Sequence, residues 1–405
     1  MATLRKPARP PEPTGPHRFF CPCPRGLEPL LAEELAACGG TDVQTAEGGA
    51  GASGPFELCY ALNLHSRIAS RVLWRVGQAS YRSENDVYAA AKALDWPRWF
   101  APDCTIRVNV AATHSPLRSL DFITLRVKDA VCDRFRSDTG KRPSVDTAGP
   151  DVRIHAYFDA ATVTVYLDTS GEALFKRGLR VAGGVAPLRE NLAAGILKLT
   201  GWTPGVALLD PMCGSGTFLI EAAEMALRRA PGARRSFGFE KLKMHQPHAW
   251  ERLRAEALAA ELPSSRLEIH GSDLYGDVLK IARQNLVHAG LEEAVTLKQA
   301  NVLELPPPAR SGVLVANPPY GVRMGEQEEM AAFYPKLGDA LKARYAGWRA
   351  CLFTADLRLP KLIGLKPARR IPLYNGALEC RLYVFEMVSG SARRAAPERA
   401  EGPGP

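Results

Sequence analysis

Residues 208–223 read LLDPMCGSGTFLIEAA. A short apolar run closes on Asp210, a tight loop carries Gly214 and Gly216, and a helical pattern begins near Thr217. Glycines placed this way let the backbone come close to a ligand at the carboxyl end of a buried strand, where open α/β sheets take cofactors. A plain strand-to-helix turn would use the same residues, and a bare G-x-G would carry no more than that. The run lacks the G-x-G-x-x-G spacing and has no Walker lysine, which disfavours a nicotinamide or nucleoside-triphosphate site.

Working outward, strands and helices alternate from about 187 to 388: VALLD, FLIEAAEMALRR, LEIHGSD, DVLKIARQNLVHAG, VTLKQAN, GVLVAN, a helix over MAAFYPKLGDALKARY, and WRACLFTAD. Strands apolar on both faces and separated by helices predict a parallel sheet covered by helices. RRIPLY and ALECRLYVFEMV flank Asn375-Gly376, a two-residue hairpin signal, so one strand is expected to run antiparallel. That order resembles a Rossmann-like methyltransferase.

Upstream, residues 17–78 predict a small α+β unit: a strand RFFCPC, a helix stopped by Gly39 and Gly40, a glycine-rich loop, a strand at 55–60 and a helix through LNLHSRIASRVLWRV. Residues 79–172 predict a second unit with a helix in DVYAAAKALDW, a strand at 104–112, a long helix ending at Gly140, and two alternating strands, VRIHAYF and TVTVYLDTS. A glycine-rich, basic connector (173–186) joins them to the third unit. The ends, 1–16 and 389–405, are rich in Pro, Arg and small residues and read as disordered tails.

At 405 residues, 46% of them hydrophobic, the chain suits two or three globular units. No apolar stretch reaches the ~20 residues needed to span a bilayer, and the opening MATLRKPARPPEPTGPHR lacks a signal-peptide core; a soluble, cytoplasmic protein is expected. The nine cysteines are scattered without a C-x-x-C pair, which reads as buried reduced thiols and no metal site. The net charge of +9 suits a polyanionic partner or simple solubility, and it is spread along the chain.

D-P-x-C-G-S-G-T is similar to the cofactor loop of amino-group methyltransferases that use S-adenosylmethionine. That resemblance places Asp210 opposite the cofactor's ammonium, a sensible partner for a carboxylate, with Pro211, Cys213, Gly214, Gly216 and Thr217 along the loop. Cys213 is expected to pack. Asp273, closing LEIHGSD before Leu274, can accept both ribose hydroxyls, or else cap the following helix. Asn301, before Val302, stands where such enzymes usually have an aspartate for the adenine amino group; its amide oxygen can still accept.

VLVANPPYGVRM (313–324) supplies the chemistry. Pro318-Pro319 could merely stiffen a loop and Tyr320 be a surface ring. Beside a cofactor loop, the Asn317 side-chain oxygen and the Pro318 carbonyl can each accept a hydrogen from one exocyclic NH2, and proline leaves no donor to interfere. Tyr320 can stack on the base, a contact worth ~1–3 kcal/mol. Transfer then depends on positioning, with no cysteine nucleophile and no metal.

Taken together, the chain resembles the RlmL family, 23S rRNA guanine-N2 methyltransferases with a THUMP domain, from about Phe19 to Val388. The stretches that carry this are PRGLEPLLAEEL, LHSRIASRVL, LRVKDAVCDRF, RPSVDTAGPDVRI, FKRGLR, APLRENLAAGIL, DPMCGSGT, NPPYG and PLYNGALECRLY. The resemblance implies a ferredoxin-like unit, an RNA-gripping THUMP domain and a Rossmann-like methyltransferase domain; a monomer is expected. It also implies S-adenosylmethionine as cofactor, with Lys176, Arg177, Arg180 and Arg189 set between RNA module and active site to touch phosphates, or to serve only as a solvated linker. Some members carry a second domain that forms 7-methylguanine; this sequence has one methyltransferase pattern, so the guanine-N2 reaction alone is expected. A THUMP-type tRNA guanine-N2 enzyme, a DNA adenine-N6 methylase and a non-catalytic RNA-binding assembly factor remain the competing readings.

Overall fold

The computed structural model describes residues 16–181, 188–319 and 324–388. The tails at 1–15 and 389–405, the end of the connector and Tyr320 lie outside the described residues.

The first half forms one seven-stranded sheet in the order β2-β3-β1-β4-β7-β6-β5. Its elements are β1 (His17–Pro22), α1 (Glu28–Ala37), β2 (Thr41–Ala46), β3 (Gly49–Gly54), α2 (Leu58–His65), β4 (Leu73–Ser80), α3 (Glu84–Ala93), the short α4 (Trp96–Trp99), β5 (Ile106–Ala112), α5 (Leu120–Thr139), β6 (Val152–Phe158) and β7 (Thr162–Asp168). The boundary expected at 78 falls inside β4, which pairs with β1 on one side and β7 on the other, so the two N-terminal units share a single sheet. Helices α1, α3 and α5 lie against one face of it. Capping follows the sequence: Ser83 and Asp86 make a capping box on α3, and Gly140 ends α5 in the left-handed region at φ 72°.

Four stretches of the first half differ from expectation, the first being residues 41–46, read as part of a loop, which form β2. Residues 49–54, expected as a loop, form β3, and residues 58–65, expected in part as a strand, form helix α2. Residues 73–76, expected at the end of a helix, instead begin strand β4. Composition misleads because GAGASG is a strand chosen for close approach: a Cβ on Gly49 would sit 2.5 Å from the Cys21 carbonyl oxygen and 2.6 Å from the Phe20 ring.

The second half contains α6 (Glu190–Thr200), β8 (Leu208–Asp210), α7 (Thr217–Ala226), α8 (Pro247–Ala259), β9 (Ile269–Asp273), α9 (Gly276–His288), β10 (Thr296–Gln299), β11 (Gly312–Ala316), α10 (Met324–Arg344), β12 (Trp348–Thr354), α11 (Leu359–Leu362), β13 (Arg369–Asn375) and β14 (Leu378–Glu386). Its sheet runs β10-β9-β8-β11-β12-β14-β13, with β14 antiparallel to both neighbours and β8 to β12 parallel, a Rossmann-like methyltransferase order. The hairpin is present, shifted by one residue: Asn375 pairs with Leu378, leaving Gly376-Ala377 as the loop.

The halves are fused through a shared apolar core that runs from Leu27 and Tyr60 to Leu192, Phe239 and Trp250. The Tyr60 and Phe239 rings lie 4.7 Å apart across this junction.

Candidate active site

Strand order reverses at β8: the chain goes outward through β9 and β10, then returns to lay β11 on the other side. A crevice opens at such a switch point, beyond the carboxyl ends of the strands. Asp210 ends β8, level with Gly271 of β9. Asp273 and Asn317 each lie two residues beyond that level, on opposite flanks of Asp210. Asn301 follows β10 on the outer side of Asp273.

The glycine turn is held from below. The Cys213 N–H donates to the Ser272 carbonyl at 2.9 Å, the Gly216 N–H to the Cys213 carbonyl at 2.8 Å, and the Gly214 N–H to Asp273 Oδ2 at 3.1 Å. Gly214 and Gly216 have φ 55° and 84°, and a Cβ at Gly214 would meet nothing within 4 Å. The turn therefore presents bare backbone to open space, as close passage of a ligand requires. Cys213 is buried in the core with its thiol pushed up by burial and by Asp210 and Asp273, so it packs as expected. Pro211 is buried and its carbonyl accepts the Ser272 hydroxyl at 3.4 Å.

Asp210 is 2% exposed and accepts the Met212 N–H at 3.2 Å; among the described residues no Lys or Arg pairs with it. Burial, with a smaller push from Asp273, holds its carboxyl well above the usual range. A buried acid at a cleft, lacking a cation, is what an ammonium-bearing ligand fits. Asp273 also accepts the Tyr275 N–H at 3.2 Å, bracing the turn into α9, and keeps acceptor capacity for hydroxyls. Beside it Leu274 is half exposed, while the Val302 side chain is buried in a second core cluster. The Asn301 amide oxygen accepts the Leu303 N–H at 3.0 Å, so one lone pair remains for the expected adenine contact. Asn317 is part-buried, Pro318 buried and Pro319 exposed; Tyr320 lies outside the described residues.

The connector differs from expectation. The Arg177 side chain is buried, its Nε 3.2 Å from Glu221 and its Nη2 donating to the Arg67 carbonyl at 2.8 Å. Arg180 pairs with Glu190 at 2.7 Å and donates to Thr217 Oγ1 at 2.9 Å. Neither guanidinium is free for phosphate: that expectation rests on the family resemblance, which gives the residues' place in the chain and not which way a side chain turns. Lys176 and Arg189 are exposed, the latter with its guanidinium 4.9 Å from the Phe175 ring.

These contacts bring in residues that no motif named. Asn285, fully buried on α9, accepts the Val181 N–H and donates to the Ser215 carbonyl, both at 3.0 Å. Together with Arg180 it ties the connector to the cofactor turn. Its signal was a polar residue within the apolar stripe Leu279, Ala282, Leu286.

Among the described residues no cluster of three or more His, Cys, Asp or Glu gathers as a metal site, and no helix is long and apolar enough to cross a membrane.

Comparison with known proteins accounts for this architecture. Residues 177–384 match the RMKL-like methyltransferase domain, residues 81–168 the THUMP domain and residues 18–73 the RlmL ferredoxin-like domain. The chain belongs to the RMKL-like methyltransferase family. The ribosomal RNA large subunit methyltransferase K/L of Shewanella sp. (strain W3-18-1) is 38% identical over 95% of the chain, and the chain spans 55% of that protein. The crystal structure of SMU.472 complexed with SAH is similar over 93% of the chain and 100% of its own, with TM-score 0.84 and 31% identity. A predicted N6-adenine-specific DNA methylase from Listeria monocytogenes matches over 92% of the chain and 96% of its own, with TM-score 0.83 and 29% identity.

Proposed function

We propose that this member of the family is an S-adenosylmethionine-dependent RNA methyltransferase that acts on the exocyclic N2 of a guanine in 23S rRNA, in the cytoplasm. The observation that carries the reading is the placement of Asn317-Pro318 across the switch point from Asp210 and the Gly214 turn, in a chain whose other half is a THUMP-bearing sheet.

S-adenosylmethionine supplies a methyl group on a sulfonium sulfur, already a good leaving group. Asp210 would hold its ammonium, the bare Gly214–Gly216 backbone would lie along it, and Asp273 would accept its ribose hydroxyls. Asn317 Oδ1 and the Pro318 carbonyl accept the two N–H groups of the target amine, which turns the nitrogen lone pair toward the crevice. Tyr320 holds the base plane. Pro318 contributes an acceptor and no donor, so the amine is read as an amine. Arg189, and Lys176 once it leaves its exposed pair with Glu172 at 2.9 Å, can reach phosphates.

The Listeria neighbour favours a second reading, methylation of adenine N6 in DNA, because the same acceptor pair suits any exocyclic amine. Mass mapping of 23S rRNA from a deletion strain, with the purified protein then supplied with 23S rRNA, tRNA and DNA in parallel, decides between them. Loss and restoration of one N2-methylguanine in 23S rRNA is expected; transfer to tRNA or to DNA adenine in its place overturns the assignment.

A further inference from the structure

The first sheet has a second face that no described element covers. Side chains alternate along its strands, and the set opposite α1, α3 and α5 includes Arg18 and Phe20 of β1, Arg75 of β4, Tyr166 of β7, and His155 and Tyr157 of β6. The methyltransferase half packs from the helix side, through Tyr60 and Leu27.

The strand registers set Arg18, Arg75, Tyr166 and His155 in a transverse row, with Phe20 and Tyr157 two residues off it on either side. Phe20 pairs with Leu73 and Phe19 with Trp74, which brings Arg18 opposite Arg75; Arg75 pairs with Tyr166, Tyr166 with His155, and His155 with Asn109. Like charges directly opposite one another in a sheet are destabilising. Here neither arginine forms an ion pair with a carboxylate among the described residues: Arg75 donates to Gln78 Oε1 at 3.3 Å and lies near the Tyr166 phenol. Burial, and then the neighbouring Arg18, push the Arg75 guanidinium below its usual range. Of the acids nearby, Asp168 is buried against Arg71, Glu47 is paired with Arg25 at 2.7 Å, and Asp42, on edge strand β2, lines the groove without an ion pair to either arginine among the described residues. Two repelling cations sharing a groove with a single carboxylate, Asp42, that pairs with neither leave net positive charge, a place for an anion.

Beside them the face is aromatic. The Phe20 and Tyr166 rings lie 6.4 Å apart, tilted by 43°, and Tyr157 is 41% exposed. These rings border a groove of about 440 Å³ that also touches Leu73 and Asn109. A second groove of about 380 Å³, holding Arg18 and Arg75, adjoins it through Phe20 and Tyr166. Five strands at ~4.8 Å spacing make the row about 19 Å long, the span of the two or three bases that sheet-type readers stack.

We propose that this open face binds an unpaired stretch of RNA, its bases stacked on Phe20, Tyr157 and Tyr166 and a phosphate held between Arg18 and Arg75. The proposal rests on the reading of the substrate as RNA. It adds a strand-gripping surface on the face away from the methyltransferase half. A duplex is a poor fit, because its bases already stack on one another and cannot lie on the rings.

The test uses the whole chain without cofactor and fluorescence anisotropy with a labelled ten-nucleotide oligouridine and an RNA duplex of equal length. Single strand is expected to bind more tightly than duplex. Tyr166→Ala and Tyr157→Ala should each weaken single-strand binding by about 5- to 150-fold, while Tyr166→Phe keeps it. Arg18→Gln with Arg75→Gln should also flatten the salt dependence, by about 0.7 in the log–log slope for each phosphate no longer neutralised. Circular dichroism confirms that each variant is folded. Unchanged affinity in folded variants, or equal loss for duplex and single strand, overturns the proposal, as does a dimer in sedimentation that these variants dissolve. Methyl transfer to 23S rRNA is measured separately: full transfer with unchanged KM in the Arg18→Gln/Arg75→Gln protein removes this face but leaves the proposed reaction standing, whereas oligouridine binding without transfer to any RNA does the reverse.

Discussion

Glu221→Gln tests whether the RNA module and the methyltransferase half behave as one body. Glu221 is fully buried on α7, one turn beyond the cofactor loop, 3.2 Å from Arg177 of the connector and 3.7 Å from Arg67 of the N-terminal unit. Burial pushes its carboxyl up while Arg177 and then Arg67 draw it down. Arg67 also donates to the Glu224 carbonyl at 3.2 Å and to that of Arg229, so it cannot swing away when its partner is neutralised. Removing one charge from a buried pair costs about 3–5 kcal/mol, because the remaining guanidiniums stay desolvated and unmatched. With a urea slope of roughly 3 kcal/mol/M, the midpoint should fall by about 1 M or more. Adding Arg177→Gln should recover part of the loss, since it removes one of the orphaned charges. Hydrogen exchange read by mass spectrometry localises the effect: peptides covering residues 62–70 and 215–226 should lose protection together. A midpoint shift below about 0.2 M, or lost protection confined to one of the two peptides, refutes the coupling.

Asp210→Asn should weaken S-adenosylmethionine binding by about 10- to 150-fold in calorimetry, the loss of one charge-assisted hydrogen bond of ~1.5–3 kcal/mol. The raised Asp210 pKa gives the pH sign: below it the free protein holds a neutral acid and gains stability, and above it that gain is lost. Cofactor affinity runs the other way, rising with pH about tenfold per unit until Asp210 ionises, and Asp210→Asn should abolish that slope. Asn317→Ala should reduce turnover by about 10²-fold or more while leaving cofactor affinity within about threefold; wild-type turnover would remove its orienting role. Asn285→Leu orphans the Val181 N–H and the Ser215 carbonyl, at about 1–3 kcal/mol each, and should raise the cofactor Kd more than the Kd for RNA; equal changes in both would point to general unfolding.

Much of the site could be read one strand at a time. Asp210, Asp273 and Asn317 announce themselves because each sits where an apolar run stops, Gly214 and Gly216 because they follow the first stop in one tight loop, and in a parallel sheet such stops share one edge. The connector could not be read in this way. Lys176, Arg177, Arg180 and Arg189 look alike as charges, yet two are consumed by Glu221, Glu190 and Thr217, partners remote in sequence. Asn285 carried only a faint signal, a polar residue in an apolar stripe, and its meaning depends on Val181 and Ser215 meeting there.

Local pattern determined the alternation of strands and helices from β8 onward except for α8 and the short α11, the antiparallel hairpin and the residues at the strand ends, because periodicity and turn chemistry act over a few positions; it did not single out α6. It misread residues 41–76, where glycine composition stood for a loop although close strand packing demanded a side-chain-free β3. Only the tertiary structure joined the two N-terminal units into one sheet, buried Arg177 and Arg180, and set Arg18 opposite Arg75 on an uncovered face. Pairing register and burial are properties of segments far apart in the chain, and no window of sequence contains them.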